Sequence, residues 1–222
     1  MQNGFLHRDG SLSIHGADAI IAPAQAFLDA VRDGFFDHTF VVMDTHFAEE
    51  YPLSEESREF PIHCEYGTTD WELALDVSGL PDVRYLMKNR FSMWGRRDAS
   101  GAAIRDARHR TAYENLFCFV DDPHNPAECT PRDEYIQKIS PGGDPAALDV
   151  TLIGVAADYC TRYAMEGWLA CGARVTILGD LTRGIAKEWP AVLAEEQYRC
   201  HGVETVRVIG SREFLKERAG GR

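Results

Sequence analysis

The feature that most constrains how this chain can fold is a series of short, β-branched apolar runs with little polar–apolar alternation. They are Thr39-Phe40-Val41-Val42-Met43, Val83-Arg84-Tyr85-Leu86-Met87, Val150-Thr151-Leu152-Ile153-Gly154-Val155, Val175-Thr176-Ile177-Leu178 and Val206-Arg207-Val208-Ile209. A strand with one wet face alternates, whereas a strand covered on both faces does not, and that is the condition of a parallel sheet between two layers of helix. Helical spacings separate the runs: Ile20, Ile21, Ala24, Phe27, Leu28 and Val31 over 18–32, a second helix over 161–171 and a third near 187–200. The alternation predicts an α/β, doubly wound, Rossmann-like and mostly parallel sheet with helices on both faces. A single core can grow to roughly 250 residues before chains tend to split, so residues 1–222 are read as one domain. Residues 95–147 break the pattern, being rich in charge, Pro and Gly with an apolar island at Leu116–Val120, and are read as an irregular insertion. A lid, an oligomer contact and a plain surface elaboration all remain open for it.

Charge excludes some functions. Lys and Arg total 23 against 35 Asp and Glu, a formal net charge of -12, so the summed field repels nucleic acid and anionic lipid. No apolar run approaches the roughly 18 residues of a membrane span. The start, Met1-Gln2-Asn3-Gly4-Phe5, has neither a basic nor an apolar leader region, so a cytoplasmic protein acting on a small molecule is expected. Self-association into a homo-oligomer is left open. Six cysteines (Cys64, Cys118, Cys129, Cys160, Cys171, Cys200) without a CxxC pair point to reduced thiols.

In doubly wound folds, ligands sit beyond the carboxyl ends of the strands. Asp44 and His46 follow the first run, Lys88 the second and Cys160 the third, so three reactive types converge on one edge. Asp44 and His46, at i and i+2 of an extended segment, point the same way, and Glu56 and His63 supply a second carboxylate and imidazole. Such a mixed N/O set suits zinc, iron or manganese, although by spacing alone a strand-end cap and a solvated acidic face are the commoner fate of such residues. Cys160, entering a helix near Thr161, is the candidate nucleophile, its thiolate favoured by free N–H groups and by Lys88.

Gly154-Val155-Ala156-Ala157-Asp158-Tyr159-Cys160 resembles the G-[IV]-A-x-[DH]-x-C segment of nicotinamidases and other isochorismatase-like cysteine hydrolases. Lys88-Asn89-Arg90-Phe91-Ser92-Met93-Trp94 resembles their K-x-x-[FY]-S-x-[FW] segment, and Gly10–Ile14, Phe60–Thr68 and Asp180–Ile185 agree in family order. The resemblance implies the isochorismatase-like fold and a catalytic Asp, Lys88 and Cys160. It also implies an oxyanion hole from the N–H groups of Ala156 and Cys160, beside a cis peptide between Val155 and Ala156. It further implies a divalent metal, zinc foremost, on Asp44, His46, Glu56 and His63, with Glu55 a poorer ligand than Glu56. Phe5, Gln2, Phe60 and Trp94 are implied to border the substrate. The expected reaction is hydrolysis of nicotinamide to nicotinate and ammonia. Another small amide, or a non-catalytic metal- or ligand-binding descendant, is the alternative.

One departure matters. The family pattern opens with a buried central strand ending in D-x-Q-N-x-F, whose Asp is the general base, and Gln2-Asn3-Gly4-Phe5 match its end. The Asp would fall immediately before Met1, so the natural protein is expected to extend upstream; failing that, Asp158 is the acid that would substitute.

Overall fold

The computed structural model describes residues 1–32, 34–199 and 206–220. The strands are β1 (Thr39–Asp44), β2 (Val83–Lys88), β3 (Cys118–Val120), β4 (Cys129–Pro131), β5 (Asp149–Val155), β6 (Arg174–Arg183) and β7 (Val206–Ile209). The helices are α1 (Asn3–Leu6), α2 (Ile21–Ala30), α3 (Ala107–Glu114), α4 (Arg132–Ile139), α5 (Cys160–Ala170), α6 (Trp189–Leu193), α7 (Glu196–Arg199) and α8 (Ser211–Gly220). All five apolar runs are strands, and the helices over 18–32 and 161–171 are α2 and α5. The third expected helix is two short ones, α6 and α7; its end, with Cys200, lies outside the described residues. Among the described residues no helix is long and apolar enough to cross a membrane.

The two-layer cover that the apolar runs required can be followed residue by residue along β6. Val175 and Ile177 face one way and pack with Tyr135 and Ile136 of α4 and Met165 and Trp168 of α5. Leu178 faces the other way, with Ala24, Phe27 and Leu28 of α2 and Phe214 of α8. Alternate residues of a strand point to opposite faces, so one run without alternation feeds two cores.

The expected parallel pairing is present in two parts, and one expectation needs correcting. The sheet is not continuous: β1 and β2 are parallel, β3 and β4 extend them antiparallel, and β5, β6 and β7 form a separate parallel sheet. No ladder joins β1 to β5. Residues 39–42 and 149–155 line a cavity of about 860 Å³ together with Met1 and Gln2. The correction concerns the stretch 95–147, which is not irregular, since it holds α3, β3, β4 and α4. Its charge disguised this: Asp106 spends its carboxylate capping the N–H groups of Arg108 and His109, and the island at 116–120 supplies the third strand of the first sheet.

Register places the site. Asp44 pairs with Lys88 across β1 and β2, so both emerge at the same edge. After β5 the chain passes through a cis peptide at Val155–Ala156, turns over 156–159 and enters α5 at Cys160. Gly154 allows the approach to this turn, since its φ of 131° is closed to residues with a side chain.

Candidate active site

Cys160, half-buried, touches Lys88 and Asp44, which are buried and touch each other. The Lys88 ammonium pairs with Asp44 Oδ1, donates to the Arg90 carbonyl at 2.8 Å and to Cys160 Sγ at 3.3 Å. The Cys160 thiol donates to Asp44 Oδ2 at 3.4 Å. Burial would discharge the lysine, but the negative charge of Asp44, supported by Glu56, outweighs it and holds Lys88 well above its ordinary range. Burial likewise works to raise the Asp44 carboxyl, and Lys88, His63 and His46 more than reverse that, leaving it below the usual carboxylate range. The cysteine goes against expectation. Burial first, and then the Asp44 carboxylate, push its thiol up to about 12, with Lys88 only partly opposing them. Cys160 therefore rests as a neutral thiol and not as the thiolate that a helix N-terminus and a lysine suggested.

The turn also presents donors. Tyr159, at the N-cap of α5, offers no capping side chain. Among the described residues neither the Ala156 nor the Cys160 N–H is taken up by a protein acceptor, while the neighbouring N–H groups of Ala157, Tyr159 and Thr161 are. Two free donors beside a half-buried thiol have the chemistry of an oxyanion hole.

Beside this triad, His46, Glu56 and His63 form a buried cluster whose ligating atoms lie within 4.8 Å of one another. His46 Nε2 and His63 Nε2 stand 3.4 and 4.0 Å from Glu56 Oε2. His63 Nδ1 lies 2.9 Å from the Pro61 carbonyl, which orients the ring so that Nε2 faces the cluster. Both His46 nitrogens and Glu56 Oε1 are buried with no hydrogen-bond partner, an expensive arrangement for a protein alone and an ordinary one around a cation. The donor set fits a divalent metal with three protein ligands and an open position. Glu55 is exposed, as its poorer match to the ligand pattern suggested. The structure does not bring Asp44 into the cluster: the buried Lys88 ammonium needs a counter-ion, and Asp44, its partner across the ladder, supplies it.

Four solved structures and sequences set this geometry in context. No protein-family model matches the chain. It superposes along almost its whole length on an isochorismatase-like hydrolase from Alkaliphilus metalliredigens (TM-score 0.59, 18% identity, 98% of this chain and 94% of the other). The chain has the isochorismatase-like hydrolase fold. It is also similar to a pyrazinamidase of Pyrococcus horikoshii in complex with zinc (TM-score 0.59, 18% identity, 95% and 94% covered). PnC1 from L. infantum, in complex with nicotinate, is a further neighbour (TM-score 0.61, 20% identity, 96% and 89% covered). In sequence the chain is 26% identical over 211 residues to the nicotinamidase/pyrazinamidase of Mycobacterium tuberculosis, covering 93% of this chain and 94% of that one.

Within this isochorismatase-like fold the other candidate residues take different places. Phe5 is buried with its ring 5.4 Å from that of His63. Gln2 is a clamp more than a substrate contact: its amide donates to the Asp44 and Trp71 carbonyls and accepts from the Asp44 N–H, all at 2.8 Å. Phe60 stacks edge-on against Phe91 and Tyr159, 5.9 and 5.4 Å away, and Phe91 lies parallel to Tyr163 at 6.2 Å. Phe91, Tyr159 and Tyr163 were not singled out from the sequence, though Phe91 and Tyr159 lie within the Lys88 and Cys160 motifs. Trp94 is a correction. Its indole sits on α5, crossing Trp168 at 5.1 Å under the Arg132 guanidinium, because glycine at 167 leaves room there. Asp158 is another: its carboxylate accepts from the backbone of 185–187, and the Cys160 thiol bonds instead to Lys88 and Asp44.

Proposed function

We propose that this chain is an amidase that hydrolyses nicotinamide to nicotinate and ammonia through a thioester on Cys160. The observation that carries the reading is the contact of the half-buried Cys160 thiol with a buried, ion-paired carboxylate and ammonium beside a His–Glu–His cluster. Similarity to nicotinamidases and pyrazinamidases along nearly the whole chain supports the substrate class.

The residues divide the work as follows. Asp44, ionised and in contact with the thiol, accepts its proton as sulfur attacks the amide carbon, so a thiol that rests neutral becomes nucleophilic only when substrate is in place. Lys88 stays charged throughout, offsetting first the carboxylate and then the charge that moves toward the substrate oxygen. The Ala156 and Cys160 N–H groups receive that oxygen. Asp44 returns the proton to the leaving nitrogen, ammonia departs, and a water deprotonated by the same carboxylate hydrolyses the thioester. His46, Glu56 and His63 would hold a divalent cation of the zinc, iron or manganese type; when bound, it supplies a Lewis-acidic contact for the pyridine nitrogen. Phe5 and Phe60 supply ring-packing walls, and Gln2 holds Asp44 in register.

The test is ammonia release from nicotinamide by the purified chain, before and after chelation and with zinc, iron or manganese restored. Release that follows the metal and vanishes in Cys160→Ala, with metal content unchanged, is the expected result. Release undiminished in Cys160→Ala, or none from a folded, metal-loaded protein, would overturn the reading.

A further inference from the structure

We propose that Asp158 is a positioning residue for the nucleophile: its buried carboxylate locks the turn that carries Cys160 onto the loop at 184–187. This inference rests on the amidase reading above and adds a residue to it. Asp158 Oδ1 accepts the Ile185 N–H at 2.8 Å, and Oδ2 accepts those of Ala186 and Lys187 at 2.7 and 2.8 Å. The residue is 8% exposed, and no lysine, arginine or histidine among the described residues pairs with it. Three backbone donors are thus its whole compensation, and charge-assisted bonds of this kind are about twice as strong as neutral ones.

The position explains the consequence. Asp158 stands two residues before Cys160, in a turn whose Ala156 and Cys160 N–H groups must meet the substrate oxygen. A second link, from the Ala157 N–H to the Arg183 carbonyl at 2.8 Å, ties the same turn to the same segment. No side chain caps α5, and beyond its internal bonds from the Tyr159 and Thr161 N–H groups to the Ala156 carbonyl the turn is tied to the rest of the fold by these bonds across to 183–187. The loop is tightly folded around the carboxylate: a Cβ at Gly184 would come within 1.9 Å of the Lys187 carbonyl oxygen and 3.2 Å of Asp158 Oδ1. Asparagine cannot reproduce this arrangement. An amide offers one acceptor oxygen where the carboxylate offers two, so whichever way it turns, at least one of the three N–H groups faces an NH₂ donor.

The experiment compares wild type, Asp158→Asn and Asp158→Ala in three readings: nicotinamide kinetics against pH, Cys160 modification by iodoacetamide followed by peptide mass, and hydrogen exchange of the 185–187 amides. In Asp158→Asn, kcat should fall about 10- to 100-fold, the effect of displacing reacting atoms by less than about an ångström, with KM within about twofold and the pH profile unmoved. Cys160 should be alkylated about fivefold faster as its turn loosens, with Cys129 unchanged as the internal control. Exchange at 185–187 should lose protection in both variants. A lowered melting temperature with wild-type kcat and alkylation would make Asp158 merely structural, and a lost limb of the pH profile would make it a proton carrier; either overturns the proposal. If the wild type releases no ammonia, the substrate reading fails, and the alkylation and exchange results still decide the role of Asp158.

Discussion

The buried Asp44–Lys88 pair can be weighed by a double-mutant cycle. Lys88 and Asp44 are 2% and 5% exposed, so the pair belongs to the interior regime and not to that of surface ion pairs, which contribute about 0–1 kcal/mol. Asp44→Asn leaves a buried ammonium without its paired carboxylate, and Lys88→Met strands a carboxylate; each should destabilise by about 3–5 kcal/mol. For a domain of this size about 2–4 °C of melting temperature accompanies each kcal/mol, so each single variant should melt roughly 6–20 °C lower. The double variant removes both charges and should lose far less than the sum, because no uncompensated charge remains. Urea unfolding followed by tryptophan fluorescence, in chelator at pH 7, measures all four corners. The coupling should also be flat across neutral pH. The Asp44 carboxyl is depressed, so its contribution is present above the unfolded value near 3.8 and lost as pH falls through the lower folded value. Lys88 is raised, so its contribution is present below the unfolded value of 10.5 and lost only as pH rises through the folded one. Additivity of the two single variants to within about 0.5 kcal/mol would refute the pairing.

Two further outcomes are expected. With its thiol pushed up to about 12 by burial and Asp44, Cys160 at pH 8 has a thiolate fraction of roughly 10⁻⁴, against about 0.2 for a free cysteine. Its alkylation in the unliganded protein should therefore be slow and still rising at pH 10; a plateau near pH 8 would contradict a neutral resting thiol. Gly167→Ala would place a methyl 1.8 Å from the Trp94 indole nitrogen, so the ring must leave α5. Overpacking of this kind costs about 1–3 kcal/mol, and an unchanged melting temperature with unchanged near-UV dichroism would show that Trp94 does not sit there.

Local pattern carried much of this molecule. The unalternating runs at 39–43, 150–155 and 175–178 demanded cover on both faces, and they are strands between two helical layers because burial on each side leaves no other place for them. Reactive residues that directly follow such runs were legible as a site, since strand ends converge wherever parallel strands share an edge. Whether two acids of equal type bind a cation, a lysine or a backbone was not legible, because a carboxylate has no spacing rule and goes to whichever donor the packed fold leaves uncompensated. Asp44 therefore turns to the buried Lys88, and Asp158 to the three amides of 185–187. Trp94 lies against α5 for a similar reason: a neighbour in sequence says nothing of which helix offers a glycine-sized gap. The five unalternating strands, α2, α5 and the list of reactive side chains were properties of the sequence by itself, set by periodicity and burial, whereas α3, β3, β4 and α4 were hidden by the charge of their segment. The partner of each buried charge, and with it the resting state of Cys160, was decided only by the tertiary structure, because the charges that pair inside a protein come from segments distant in the chain.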